Sequence, residues 1–261
     1  MQWIIQNNIA GEDGYPQLLQ ALATMGIKHS VHQIIPFTSL LHPAPEITED
    51  KVICMGSYSL LRAVKANNWN PGVYDLSHIT HKDMFSHWGN RMLNTGSHVS
   101  FENVPLTEEF KNGEFFLRPA TDEKFFVGKV LTSDEFNAWS QDIVVNKSDY
   151  GNGLTKDTPV LIASPKKIYS EFRTWIVNGK VITASSYKLF GNLHTSLPVD
   201  QEIVDYAHEC ANIWNPHVAY CLDVCKTSDG LFIVEPNTIN FAGYYNGNMG
   251  KIIDALETLN A

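Results

Sequence analysis

Apolar residues recur along the first hundred positions in two alternating rhythms, one with the period of a strand and one with that of a helix. Trp3, Ile4 and Ile5 form a short apolar run closed by Asn7 and Asn8. Leu18, Leu19, Leu22 and Met25 then fall at helical spacing from Tyr15 onward, with Gly26 as the stop. His29 to Ile35 alternates apolar with polar and ends at Pro36. The same order restarts at Val52, Ile53, Cys54 and Met55, turns at Gly56 and Ser57, and enters a helix through Leu60, Leu61 and Val64. A third helix is predicted from Asp83 to Leu93, carrying Phe85 and Trp88, before the polar break Asn94 to Ser97. Strands alternating with helices predict a parallel α/β lobe.

Beyond this break the pattern turns to strands separated by polar stretches. Glu114 to Pro119 reads as a strand, as does Lys124 to Val130, and Ser133 is placed to cap a helix containing Glu135 and Phe136. Asn146 to Thr158 is polar, holds Gly151 and Gly153, and is expected to be an exposed loop. From Pro159 the chain predicts two hairpins with a helix between them, then a last helix from Gly250 to Leu259. No internal repeat or low-complexity segment interrupts this order. Three segments result: 1–95, 96–158 and 159–261.

Composition narrows the function classes. Hydrophobic residues are 44% and charged residues 18% of 261 positions, which is globular rather than disordered usage. The formal net charge is −9, and no run of Lys or Arg is longer than Lys166-Lys167. Extended nucleic-acid binding is therefore disfavoured, while a local basic pocket for one polyphosphate stays compatible. The start, Met1 to Asn8, lacks the cationic region and apolar stretch of a secretory signal. Apolar runs fall short of a membrane span, and four cysteines in so long a chain do not form a disulfide framework. A reducing, cytoplasmic setting is expected.

Candidate chemistry concentrates in the two late hairpins. Tyr220 to Thr227 and Leu231 to Asn237 flank Ser228-Asp229-Gly230, which reads as a three-residue loop closed by a left-handed glycine. That loop pairs Thr227 with Leu231, sets Asp223 opposite Glu235, and puts Asn237 on the same face. Paired carboxylates on adjacent strands repel unless a cation is shared, and hard oxygen donors of this kind suit Mg²⁺ that also touches phosphates. Two solvated carboxylates on an exposed face is the other reading. It fits poorly with Asp223 flanked by Cys221, Leu222, Val224 and Cys225.

The earlier hairpin turns at Asn178-Gly179, which pairs Val177 with Lys180 and, by counting back, Arg173 with Ala184. Glu171, Arg173, Ala184, Ser186 and Lys188 then share a face, with Trp175 and Ile182 nearer the turn. This set could engage polyphosphate and ribose, or be an ordinary surface ion pair worth little. Arg118 and Lys129 each follow an apolar run that would fix where the cation points, or else snorkel at a sheet edge. Gly128-Lys129-Val130 is not a P-loop. Cys221 and Cys225 have no zinc-spaced partners and read as buried, inert thiols. His78, His81 and His87 read as surface residues, since six positions do not bring His81 and His87 to one helical face. Trp69, Trp88, Trp139 and Trp214 read as packing rather than a base-stacking platform.

In order, these elements resemble the ATP-grasp superfamily. FFLRP (115–119) matches the strand that ends in a phosphate-binding cation and proline. PVLIASP (159–165) is similar to the strand lining the adenine pocket, EFRTWIVNGKVI (171–182) to the hairpin that follows it, and LDVC (222–225) with IVEPN (233–237) to the two metal-binding strands. Arginine rather than lysine at 118 resembles a bacterial and phage clade with paired arginines and a lysine. The resemblance implies a mixed α/β (α+β) fold, with a Rossmann-like lobe over 1–95 before a two-lobed ATP-grasp domain with antiparallel sheets, 96–158 and 159–261. It implies Asp223, Glu235 and Asn237 as Mg²⁺ ligands, Arg118 and Lys129 on phosphates, Ile162 and Ala163 near adenine, and Glu171 near ribose or metal-bound phosphates. Arg173 and Lys188 would stabilise the transferring phosphoryl group or the acyl-phosphate, and Asn240 would meet the acceptor.

The activity so implied is an ATP- and Mg²⁺-dependent ligase joining a small-molecule or peptide carboxylate to an amine. A nucleotide-binding sensor without ligase chemistry and an ATP-dependent phosphotransferase are the alternatives. The intact Asp, Glu and Asn trio favours an enzyme.

Overall fold

The computed structural model describes residues 1–7, 14–120, 125–145 and 153–261. The polar loop expected over 146–158 lies partly outside these residues, as does Lys124. Two compact units result: Met1–Leu76 with Ile168–Ala261, and Ser77–Lys167.

The first unit opens with β1 (Gln2–Gln6), α1 (Tyr15–Thr24), β2 (His29–Ile34), β3 (Leu41–His42), β4 (Val52–Met55), α2 (Leu60–Asn67) and β5 (Pro71–Gly72). They make a five-stranded sheet in the order β3-β2-β1-β4-β5, parallel except for the antiparallel edge strand β3. Central β1 is buried on both faces, which explains its unbroken apolar run. Trp3 and Ile5 share one core with Leu18 and Leu22 of α1. Ile4 joins Val52, Cys54, Leu60, Ala63 and Val64 in the other. Each such fully buried side chain contributes about 1.5–3 kcal/mol relative to exposure.

The second unit contains α3 (His81–Trp88), β6 (Gly96–Ser100), α4 (Glu108–Lys111), β7 (Glu114–Pro119), β8 (Lys129–Thr132), α5 (Ser133–Ser140) and β9 (Pro159–Ala163). Its sheet is antiparallel, in the order β6-β9-β7-β8. Pro159–Ala163, which the sequence groups with the last segment, thus pairs inside this unit. Phe115, Leu117, Leu131, Val160 and Ile162 line one face and pack with Phe101, Val104 and Phe136.

Three expectations shift here. α3 ends at Trp88 rather than Leu93, because Gly89 takes a left-handed φ of 53° that no helix continues. Thr132, not Ser133, caps α5: its hydroxyl accepts from Glu135 N–H while the Glu135 carboxylate accepts from Thr132 N–H. The Ser133 hydroxyl instead donates to the Phe110 carbonyl at 2.7 Å. β8 begins at Lys129, and Phe125 and Phe126 before it pack on the core beside Trp139.

The first unit is completed by β10 (Ile168–Val177), β11 (Lys180–Leu189), β12 (Asn192–Leu193), α6 (Gln201–Ile213), β13 (Ala219–Thr227), β14 (Gly230–Asn237) and α7 (Met249–Leu259). The strands form an antiparallel sheet, β12-β11-β10-β13-β14. Trp175, Val177, Ala219 and Cys221 from this sheet meet Trp3, Ile5, Leu18, Ile252, Ile253 and Leu256 in one core, so the first and last parts of the chain fold together.

Asn178-Gly179 turns as predicted, with φ values of 49° and 72° and Val177 opposite Lys180. Bulges between Trp175 and Ile176 and between Glu171 and Phe172 then shift the register, so Arg173 stands opposite Ser185 rather than Ala184. The last hairpin also departs from its predicted count. Its loop has two residues, Thr227 pairs with Gly230 rather than Leu231, and a bulge after Asp223 restores Asp223 opposite Glu235. The expected acid pair therefore forms by a different path.

Candidate functional site

Strands β10, β11, β13 and β14 present a polar cluster. Arg173 and Asp223 are cross-strand partners, and the guanidinium grips the carboxylate in a fork, Nε to Oδ1 and Nη2 to Oδ2, both at 2.8 Å. Asp223 is 2% and Arg173 7% exposed, so this is a buried, bidentate ion pair. Burial works against charge on Arg173, yet Asp223 beside it outweighs burial and holds the guanidinium more firmly protonated than usual. Asn237 Nδ2 donates to Asp223 Oδ2 at 3.2 Å, and Glu235 stands opposite Asp223 on β14.

A second acid, Glu171, is also buried. It pairs with Lys188 Nζ at 3.2 Å and accepts from the Tyr187 hydroxyl at 2.6 Å. That hydroxyl also lies 3.4 Å from Asp223 Oδ2. Burial, then the nearby Asp223 and Glu171 charges, push the Tyr187 phenol far up, so it stays a donor. Tyr187 stacks on Tyr245 with centroids 5.0 Å apart and planes 11° apart, and Arg173 lies 5.5 Å and 5.1 Å from the two rings.

The segment after β14 closes over this cluster and is fixed from several directions. Arg173 Nη1 donates to the Gly243 carbonyl at 3.3 Å. Asn246 N–H donates to Ser185 Oγ at 3.1 Å and Asn248 N–H to Thr183 Oγ1 at 3.2 Å. A Cβ on Gly247 would sit 2.7 Å from the Trp175 ring, so only glycine allows this approach. Asn240 belongs to the same segment but is fully buried. Its amide donates to Cys54 O at 2.8 Å and accepts from Tyr74 N–H at 2.9 Å. The structure uses it to join this segment to the first sheet, with no group turned toward an acceptor.

Sequence reasoning placed Ala184 and Ser186 beside Arg173. The bulges instead bring Tyr187 there, while the Ser186 hydroxyl bonds the Leu197 backbone. Tyr187 and Tyr245 were missed because strict alternation cannot see a bulge.

Two carboxylates and an amide oxygen form a donor set fit for Mg²⁺. Among the described residues no three His, Cys, Asp or Glu side chains converge on one point. A cation that keeps waters and phosphate oxygens in its shell needs only one or two carboxylates. Arg173 occupies one direction on each Asp223 oxygen, and a carboxylate offers about four acceptor directions, so the donors fit the ion.

In the second unit, Arg118, Leu161 and His98 lie side by side across β7, β9 and β6, with Phe116 and Ala163 on the same face. Arg118 Nε donates to Pro119 O at 3.3 Å. Lys129 and Ile162 both pair with Leu117 and so belong to the opposite, core face. There the Lys129 amine sits 3.7 Å above the Trp139 ring, and burial lowers its pKa. The structure thus separates Arg118 and Ala163 from Lys129 and Ile162. His81, expected at the surface, is buried at 3% exposure, 3.2 Å from His98 through Nδ1. Burial, then Arg118 and His98, depress its pKa to about 4. His78 and His87 are exposed as expected.

This arrangement of sheets is shared with solved ligases of one nucleotide-binding fold. D-alanine–D-alanine ligase from Bacillus anthracis complexed with ATP aligns at TM-score 0.62 and 13% identity, covering 100% of this chain and 97% of that one. The ATP-grasp ligase PsnB complexed with a minimal precursor aligns at 0.58 and 14%, covering 99% and 98%. D-cycloserine synthetase DcsG aligns at 0.57 and 12%, covering 99% of each. No curated protein sequence matches the chain. Residues 63–256, most of the chain, match the ATP-grasp domain of the clade named for two arginines and a lysine, family 3, and the chain belongs to that family.

Proposed function

We propose that this ATP-grasp protein is an ATP- and Mg²⁺-dependent carboxylate–amine ligase. A carboxylate oxygen would take the γ-phosphoryl group, releasing ADP, and an amine nitrogen would then displace phosphate from the acyl carbon to form the amide. Such transfer relies on positioning and charge neutralisation more than on a protein nucleophile. The observation that carries the reading is the meeting of Asp223, Asn237, Glu235 and Arg173 on three adjacent strands within the segment that matches the family.

In this reading Asp223, Glu235 and Asn237 hold Mg²⁺, and the bound ion neutralises charge on the phosphates. Glu171 lies near ribose or the metal-bound phosphates. Lys188, whose side chain is partly exposed, neutralises charge on the transferring group. Arg173 is committed to Asp223, so its part is to fix that carboxylate. Arg118 binds phosphate and Ala163 adjoins adenine, on their shared face. Lys129 and Ile162 point to the opposite face and Asn240 is spent internally, so all three are left out.

Among the similar structures, PsnB holds a precursor peptide, and two others are named for D-cycloserine and for D-alanine joined to D-alanine. This supports peptide or amino-acid carboxylates as substrates. Acidic net charge supports neither extended DNA nor RNA as partner. Four free cysteines, all buried, support a reducing, cytoplasmic setting. Among the described residues no helix is long and apolar enough to cross a membrane.

The test is ADP and phosphate release with Mg²⁺, ATP and panels of carboxylates and amines, with mass spectrometry of products. An amide is expected, and Glu235→Gln should lower turnover at least a hundredfold while its melting curve stays close to the parent's. Unchanged turnover in Glu235→Gln and in Asn237→Ala would sink the metal assignment. A phosphorylated product without an amide would make the protein a phosphotransferase, and nucleotide binding without turnover a sensor.

A further inference from the structure

The geometry points to Tyr187 as a positioning residue that holds the acids of the Mg–nucleotide site in register. This deepens the ligase reading and rests on its assignment of Asp223 and Glu171. Tyr187 is the residue that the bulge leaves over: Phe172 pairs with Ser186 and Glu171 with Lys188, so Tyr187 has no partner across the ladder. An extra residue in one strand re-aims a side chain, and here it delivers the phenol to the acid-bearing face. The hydroxyl then touches two carboxylates from different strands, Glu171 Oε2 at 2.6 Å on β10 and Asp223 Oδ2 at 3.4 Å on β13.

The ring cannot easily turn away. Tyr245 covers it in a parallel stack, and Tyr245 itself holds a left-handed φ of 44°. A non-glycine residue keeps that conformation only where its surroundings impose it. Those surroundings are the Asn246 bond to Ser185 and the close seat of Gly247 on Trp175. Lys188 also holds Glu171, but its side chain is 41% exposed and free to move. The buried phenol is therefore the fixed link between the two acids, and Lys188 the movable one. Groups that orient metal-binding side chains from behind typically change metal affinity by about 10–100-fold when removed.

Tyr187→Phe keeps the ring and removes the link. Mn²⁺ binding to the full chain, followed by electron paramagnetic resonance with a non-hydrolysable ATP analogue, should weaken about tenfold, while the thermal midpoint moves by only a few degrees. Glu171→Gln should weaken it similarly, and the double variant no further than the weaker single, because both remove one link. Tyr245→Ala keeps the hydroxyl but frees the ring, and should show an intermediate loss. Asp223→Asn separates the two layers of the argument. If it leaves Mn²⁺ affinity unchanged, the metal reading itself fails. If it weakens affinity while Tyr187→Phe and Tyr245→Ala do not, the positioning role is overturned and the metal reading stands. A Tyr187→Phe protein that melts far lower yet binds Mn²⁺ normally also overturns it.

Discussion

Arg173 with Asp223 in the first unit and His81 with His98 in the second are both titratable pairs drawn at least partly out of water. They meet the cost of burial in opposite ways. Arg173 and Asp223 keep full charge, because each is the other's counterion through two short hydrogen bonds. His81 has Arg118 and another imidazole nearby, both opposed to a charge on its ring, so it sheds its proton and its pKa falls to about 4. The difference separates a site that can exchange ions from one that cannot. Asp223 already coexists with Asn237, Tyr187 and a facing Glu235, a surplus of oxygen that a divalent cation would balance. The histidine pair sits beside a fixed positive charge and gains nothing from a second one.

The largest effect should come from halving the compensated pair. Arg173→Ala leaves Asp223 charged and buried, and is expected to cost about 3–5 kcal/mol of unfolding free energy in urea. Arg173→Met combined with Asp223→Leu removes both charges and should recover most of that loss. If the single variant costs under about 1 kcal/mol, the pair behaves as an exposed one and the contrast with His81 disappears.

The histidine pair predicts a smaller, acid-dependent effect. In the unfolded chain His81 takes a proton near pH 6.5, whereas in the folded unit it resists until about 4. The unfolded state therefore binds more protons across that window, and stability falls as pH falls from 6.5 to 4. The loss attributable to His81 is at most about 3 kcal/mol. His81→Phe should flatten this limb relative to the parent in urea melts at about pH 7 and pH 5. An unchanged limb would show that His81 is protonated in place.

Most of the scaffold was legible before any coordinates. The apolar run of β1, the helical spacing of Leu18 and Leu22 and the Asn178-Gly179 turn each carry a local signal that packing then honours. Glu114–Pro119 was read to the residue. What resisted were the bulges at Glu171, Trp175 and Asp223, because a bulge answers to packing on both faces of a sheet and has no local spelling. Counting by twos past them mispaired Arg173 and hid Tyr187. The last hairpin shows how two errors can cancel: a loop one residue too long and an unseen bulge together still set Asp223 against Glu235. Burial of His81 was hidden for a related reason. Thr80 and Asp83 form a capping box that fixes where α3 begins, and that start decides which face His81 occupies.

The smallest effect tests whether burial or charge anchors Glu171. Lys188 contributes a formal ion pair at 3.2 Å, but from a side chain 41% exposed, where such pairs are worth about 0–1 kcal/mol. Tyr187 contributes a neutral donor that is buried. Lys188→Met should therefore lower stability by less than about 1 kcal/mol. Glu171 should remain in place in a crystal structure of the variant, still bonded to Tyr187. A displaced Glu171 would mean that the exposed amine, and not the buried phenol, fixes the acid, and would align this arm of the cluster with surface electrostatics rather than with the Arg173–Asp223 pair beside it.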